Sequence, residues 1–446
     1  MQNSNQFYNS LKTARDGRIS ECPTNYQLIL NNDPLLKGRL IFNTMSGLPE
    51  GVAPLPWSDR VDTISEEIDE NGIFPWTDND FSGLLIYMNK KYGLNNRNHL
   101  KTALDVVFAE NKYNPVKTYM NSLKWDGINR LETMFIDYLG AEDNEYVRYV
   151  TKLWAVGAVA RTMQPGVKFD IVPILCGDQG VGKSLLPERL TKSRPGWLAT
   201  SITRIDKSAI EKIQGALIVD LGEIQILKRD PDGIKDFVTL TQDKQRNAYK
   251  HYVSVMQRRC VFIGSTNDTE FLNDATGERR WMPVDCKKER VKYHISELTD
   301  EITDQLWAEA VNIYNSGFSL ILPQEIEDLA ASVQKQHSLN SSNKGEIIEF
   351  LSIPIPEDWD EYNSDEKRAY YEKPSSCGKL RTDISAIEIW FELYGHSPSD
   401  TRNSEYTQLN KILRSISALE ELGPRKHKKY GSQRTFRIDH DKLKNL

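Results

Sequence analysis

The feature that most constrains this chain is one octapeptide, Gly177-Asp178-Gln179-Gly180-Val181-Gly182-Lys183-Ser184. It has the form G-x-x-x-x-G-K-S and follows an apolar run at 172–176 that reads as a buried strand, the context in which this pattern binds phosphate. The glycines let the backbone wrap an anion and aim its N–H groups at it. Lys183 would neutralise charge on the β- and γ-phosphates of a nucleotide, and the Ser184 hydroxyl would be a ligand of Mg2+. Pro187 fits less well. It falls early in the helix expected after the loop, and proline is tolerated there only in the first turn.

Three further apolar runs follow, at 216–219, 259–264 and 281–284, separated by glycine turns and polar stretches. Such runs alternating with helices predict an α/β fold with a sheet buried on both faces. Pro173 lacks an N–H and suits only the start or edge of its strand. The second run closes on Asp220, with Glu223 three residues later. Asp220 would hold Mg2+ through water and Glu223 would orient or deprotonate the attacking water, although spacing alone leaves the two roles exchangeable. Asn267, just after the third run, suits a sensor that bonds the γ-phosphate or the water, or else a turn cap. Arg279 and Arg280 precede the fourth run. In a ring of subunits, one of them could reach a neighbour's γ-phosphate as an arginine finger, and a plain surface pair is the alternative.

Composition bounds these readings. A chain of 446 residues has room for two or three domains, and 39% hydrophobic with 27% charged residues is ordinary for a soluble protein. No apolar run reaches eighteen residues, so no membrane span is expected. The opening Met1-Gln2-Asn3-Ser4-Asn5-Gln6 has no apolar core of a signal peptide, which predicts a cytoplasmic protein. The five cysteines show no zinc spacing and read as reduced, buried thiols. A net charge of −6 argues against indiscriminate coating of nucleic acid while leaving local basic patches free to bind it.

Four regions are expected. Residues 1–135 read as mainly helical, with no assigned role. One helix there would carry Phe81, Leu84, Leu85 and Met88 behind an Asp78 or Asn79 cap, and another Leu100, Leu104, Val107 and Phe108. Residues 136–320 form the phosphate-loop ATPase domain. Residues 321–375 read as a helical and acidic linker that includes Pro356-Glu357-Asp358-Trp359-Asp360-Glu361. Residues 376–446 form a small domain. Asp383 would cap a helix with Ile384, Ile387, Trp390 and Phe391, and a second helix would carry Leu409, Ile412, Leu413 and Ile416. Two short strands would then surround a basic turn with Arg425, Lys426, Lys428 and Lys429, and Arg434 and Arg437 nearby. Two helices and a hairpin fit a winged helix, whose basic wing would grip duplex phosphates. A solvated basic tail is the plainer alternative.

Several short stretches also occur in a fixed order: Pro115-Val116 with Tyr119, Leu123 with Trp125-Asp126-Gly127, Arg130-Leu131 and Tyr138-Leu139-Gly140. Arg161, Pro165-Gly166, Lys168, Asp170, the phosphate loop, Glu223, Thr266-Asn267, Phe271-Leu272, Asp274, Gly277 and Arg279-Arg280 follow. On these residues the chain resembles the virulence-associated protein E family of phages and genomic islands, whose members look like superfamily 3 helicases of the AAA+ group. The resemblance spans about residues 110–290 well and the C-terminal region more loosely. Asp220 departs from it, since the family usually has Glu there, and so does Pro187.

The resemblance implies an AAA+-like core and a hexameric ring that moves along DNA at the expense of ATP with Mg2+, in the cytoplasm of a bacterial host. Partners would be a primase or other replication proteins, and the upstream primase domain of many relatives finds no room here. It also implies a DNA-tracking hairpin at 246–252, carrying Arg246 and Tyr249 with Lys250 and His251 at its tip, for which an ordinary solvent-exposed hairpin is the alternative. A cationic tip follows phosphates and an aromatic stacks on bases, both without sequence preference. A replicative helicase is therefore the first reading. An ATP-gated loader or scaffold without unwinding is the second. A small-molecule kinase ranks last, because it leaves the arginine pair and the basic hairpin unused.

Overall fold

The computed structural model describes residues 7–58, 71–202, 204–223, 230–245, 254–268, 271–272, 279–373, 378–396, 403–427 and 430–444. Two units are distinguished: Met1–Asp268 with Arg279–Ala330, and Thr269–Glu278 with Ala331–Leu446.

In the first unit, helices α1 (Pro23–Asn32), α2 (Asp78–Tyr92) and α3 (Arg97–Glu110) pack together. Leu84 and Met88 of α2 and Leu100, Leu104 and Val107 of α3 recur at helical spacing and bury with Tyr26, Ile29 and Leu30 of α1. The cap of α2 is Thr77 rather than Asp78 or Asn79. The Asp80 carboxylate accepts the Thr77 backbone N–H at 2.9 Å, which completes a capping box. A small sheet accompanies these helices in a region expected to be mainly helical. Its strands β1 (Leu40–Asn43), β2 (Leu48–Val52), β3 (Ile73–Pro75) and β4 (Lys112–Tyr113) lie in the order β3-β2-β1-β4.

The rest of this unit is a mixed α/β layer that begins with α4 (Pro115–Ser122), α5 (Met134–Leu139) and α6 (Glu145–Met163). Its sheet comprises β5 (Val172–Gly177), β6 (Leu198–Ala199), β7 (Ile218–Glu223), β10 (Val261–Thr266) and β11 (Trp281–Cys286), while β8 (Gln242–Gln245) and β9 (Ser254–Gln257) form a separate hairpin. The order is β11-β5-β10-β7-β6 and every pairing is parallel. All carboxyl ends therefore share one edge, where ligands of open parallel sheets bind. Pro173 sits at the start of β5, outside its ladder with β10, which begins at Ile174, and Pro283 lies on the edge strand β11.

Helix α6 covers this sheet. The Trp154 indole donates to the Phe262 carbonyl at 2.8 Å, and the Tyr146 hydroxyl to the Pro283 carbonyl at 3.0 Å. Arg161 is fully buried and donates to the Phe169 carbonyl at 2.6 Å. That residue, one of those carrying the family resemblance, thus serves the packing of helix on sheet. No helix among the described residues is long and apolar enough to cross a membrane.

In the second unit, β12 (Asp383–Ser385), β13 (Leu419–His427) and β14 (Gly431–Ile438) form an antiparallel sheet ordered β12-β14-β13. Asp383 opens a strand, not a helix. The helical cap is Ser385, whose hydroxyl donates to the Glu388 carboxylate at 2.6 Å. Leu409, Ile412 and Leu413 of the helix Asn403–Ser415 bury against Phe350, Ile384 and Phe436. The stretch read as an acidic linker sends Trp359 and Lys367 into this unit's interior. There Glu392 accepts from the Lys367 ammonium at 2.6 Å, the Trp359 indole at 3.0 Å and the Arg381 guanidinium at 3.3 Å.

Candidate functional site

The octapeptide begins at the carboxyl end of β5. Gly177, Gly180 and Gly182 have φ of 124°, 83° and 106°, values that favour glycine. A Cβ at Gly177 would lie 2.1 Å from the Cys286 carbonyl oxygen, so no side chain fits there. Asp178, Gln179, Gly180 and Ser184 are exposed, while Val181 is buried and anchors the loop. Helix α7 (Leu185–Leu190) follows, with Pro187 in its first turn. Its missing N–H would have had no partner there, so the residue that fitted poorly as sequence is accommodated.

Lys183 is only 8% exposed. Its ammonium donates to the carbonyls of Gly177 at 2.6 Å and Asp178 at 2.7 Å, and to Asn267 Oδ1 at 3.0 Å. Asn267 follows the last residue of β10, and Thr266 is level with Cys176 of β5 in the parallel ladder. Two adjacent strands thereby present an ammonium and a carboxamide at the same height.

Asp220 does not end its strand as its apolar run suggests. β7 continues to Glu223, which is level with Ser265, whereas Asp220 is level with Ile263 and an irregularity separates the two registers. Asp220 is buried, and that burial raises its carboxyl above the usual carboxylate range, although the Gly222 N–H donates to it at 2.8 Å. Among the described residues, no cation accompanies it in an ion pair. The side chain of Glu223 lies outside the described residues.

Arg279 and Arg280 stand at the amino end of β11, on the edge of the sheet opposite to the loop. Arg280 Nε donates to Thr239 Oγ1 at 2.8 Å and lies 3.4 Å from an Asp170 carboxylate oxygen. Arg279 is exposed. Of the residues expected to touch DNA, Arg246, Tyr249, Lys250, His251, Lys428 and Lys429 lie outside the described residues. Arg425 and Lys426 are exposed on β13. Arg434 and Arg437 are paired with Glu421 at 3.1 Å and Glu420 at 3.7 Å, so part of the basic hairpin is already balanced by acids.

The chain after β11 also forms part of the site, which the spacing of motifs did not foretell. The Lys288 N–H donates to the Asp178 carboxylate at 3.2 Å, and a Cβ at Gly182 would lie 3.0 Å from Ile295. Gly140 packs so closely here that a Cβ would lie 2.1 Å from the Lys287 carbonyl oxygen. The one sequence signal was the stretch Tyr138-Leu139-Gly140.

Residues 120–339 match the family model of the virulence-associated protein E-like domain. No curated protein matches the chain. Among solved structures, the apo structure of the NrS-1 C terminal region (305–718) is similar, with 14% identity and a TM-score of 0.46, over 94% of this chain and 100% of that one. Two A form apo structures of the same region have TM-scores of 0.40 and 0.43. The first is 14% identical over 72% of this chain and 78% of that one, and the second 12% identical over 90% and 96%.

Proposed function

We propose that this chain is an ATP-driven motor of phage or mobile-element DNA replication, a helicase or replication initiator with an AAA+-like core that works as a hexameric ring. The observation that carries the reading is the Lys183 ammonium, held between the carbonyls of its own glycine loop and Asn267 on the next strand. The match of residues 120–339 to the virulence-associated protein E-like domain supports it.

In this reading the loop N–H groups and Lys183 draw charge from the terminal phosphates of ATP. Asn267 orients the γ-phosphate or the attacking water. Glu223 takes a proton from that water as its oxygen bonds to the γ-phosphorus and ADP departs. The residues suit a divalent cation, since Ser184 offers an exposed hydroxyl and Asp220 a buried carboxylate without a cationic partner among the described residues. When bound with the nucleotide, Mg2+ neutralises charge on the β- and γ-phosphates, and Ser184 and Asp220 are the residues that would hold it.

Arg279 is the better arginine finger, because Arg280 is engaged by Asp170 and Thr239. Arg246, Tyr249, Lys250 and His251 would track single-stranded DNA in the channel. The C-terminal unit acts as a winged-helix-like module, with Arg425 and Lys426 on duplex phosphates. A primase or another replication protein would act beside it.

The test is ATP hydrolysis with and without single-stranded DNA, run beside strand displacement on a forked duplex. Stimulated hydrolysis and unwound forks are expected. Stimulation without unwinding would replace the helicase by a loader, and hydrolysis indifferent to DNA would overturn the motor.

A further inference from the structure

The turn between β1 and β2, residues 44–47, is braced from within the N-terminal sheet. Asn43 Oδ1 accepts from the Met45 N–H at 2.8 Å, and the Gly47 N–H donates to the Asn43 carbonyl at 2.9 Å. The Asn43 amide donates to the Glu50 carboxylate at 2.8 Å, and the Thr44 hydroxyl to the Tyr113 carbonyl at 2.9 Å. The sheet itself therefore sets the shape of the turn.

The outer side of this turn meets two elements of the α/β layer. The Gly215 N–H donates to the carbonyl of the buried Met45 at 3.0 Å, three residues before β7 and its acids. A Cβ at Gly47 would lie 2.8 Å from Met256 Cε of β9. The two residues after Met256 are held as well. A Cβ at Gly166 would lie 2.2 Å from Gln257 Oε1, and the buried Arg258 pairs with Asp243 of β8 through two bonds of 2.8 Å. A cavity lined by Met45, Gly215, Met256 and Arg258 lies at the junction. Such a seam, less filled than a close-packed core, lets a hairpin shift as a body against a fixed stop. β8 and β9 flank residues 246–253, which include Arg246, Tyr249, Lys250 and His251.

We propose that the N-terminal module positions the β8–β9 hairpin, with the 44–47 turn as the stop that sets β9 against the root of β7. The assignment rests on the reading of that hairpin as the DNA tracker and gives the N-terminal region a part in it. Met45, Gly47 and Met256 are positioning residues that act through the hairpin, so disturbing them separates hydrolysis from unwinding.

The full-length chain tests this by ATP hydrolysis without DNA, strand displacement on a forked duplex, and amide hydrogen exchange in β8 and β9. Gly47→Ala strains the turn, where φ is 70°, and drives a methyl group onto Met256. Met256→Ala empties the other side of the contact. Each variant should keep the DNA-free kcat and KM and lower the forks opened per ATP about tenfold. Met256→Leu, close in volume, should behave as wild type. Gly47→Ala should also speed exchange in β8 and β9. An unchanged yield of forks per ATP in both variants would overturn the stop, and so would an equal loss of DNA-free hydrolysis, which marks a merely structural role. If the wild type opens no forks, the tracker reading fails by itself and exchange decides the stop: faster in Gly47→Ala upholds it, and unaltered overturns it.

Discussion

The Lys183 ammonium lies 3.0 Å from the Asn267 side-chain oxygen, which joins the glycine loop to the tip of the adjacent parallel strand. If both groups act on the terminal phosphoryl, their removal should differ in kind. Lys183→Ala should abolish hydrolysis. Asn267→Ala should retain nucleotide binding and lower kcat by about 100-fold, as for loss of one preorganised group at a developing charge. Equal kcat in Asn267→Ala and wild type would remove Asn267 from the chemistry.

Asp220 makes a prediction about pH. Its carboxyl is raised by burial, so the fold favours the neutral acid. The resulting stabilisation is complete below the ordinary Asp value and is lost as pH rises through the raised one. Above the ordinary Asp value the raised carboxyl therefore opposes folding. Asp220→Asn should raise Tm at pH 7 by about 2 °C, and the gain should vanish on acidification through the titration of Asp220. The same variant should lose Mg2+-dependent hydrolysis. A melting curve lowered at pH 7 would contradict the burial argument.

The two arginines before β11 should separate by assay. Arg280→Ala breaks the contacts with Asp170 and Thr239 and should cost about 2 kcal/mol of stability in urea unfolding. Arg279→Ala should leave stability unchanged and, mixed with wild type, poison hydrolysis beyond its mole fraction. Simple dilution in the mixture would exclude Arg279 as a finger acting between subunits.

The hairpin of the C-terminal unit predicts a salt dependence. Arg425→Ala with Lys426→Ala should reduce the slope of log affinity against log salt for duplex DNA by about 2. Arg434 and Arg437, already paired with acids, should change it less. An unaltered slope in the first variant would turn this hairpin into a solvated surface.

Glu392 anchors the second unit. Glu392→Ala would leave the Lys367 and Arg381 cations buried without their shared carboxylate and should cost about 3–5 kcal/mol. Denaturant unfolding measures it.

The four main strands of the parallel sheet were legible because strands buried on both faces are written as unbroken apolar runs, as in 172–176 and 259–264. Helix α6 carries the related signal, since Val150, Leu153 and Trp154 repeat at helical spacing. The N-terminal sheet was not, because its strands are two to five residues long and too short to show a period. Ile384 and Ile387 suit a helix face, yet the paired residues Asp383 and Arg437 start a strand there, since partners on β14 decide the matter. Within the site, loop and lysine were readable from local pattern. The wall made by Lys288 and Ile295 was not, because it depends on β11 standing next to β5, a neighbour that sequence spacing cannot announce.

β11 has a foot in two places. Its amino end follows Arg279, the arginine that would serve an adjoining copy, and its carboxyl end touches its own copy's loop at Gly177, where even a methyl group would collide with Cys286. Six residues of extended chain, about 20 Å, then act as a push-rod. In the proposed ring, a tug on Arg279 by a departing phosphate next door would be felt by the cradle at the far end, so firing in turn around the circle would need no further hinge.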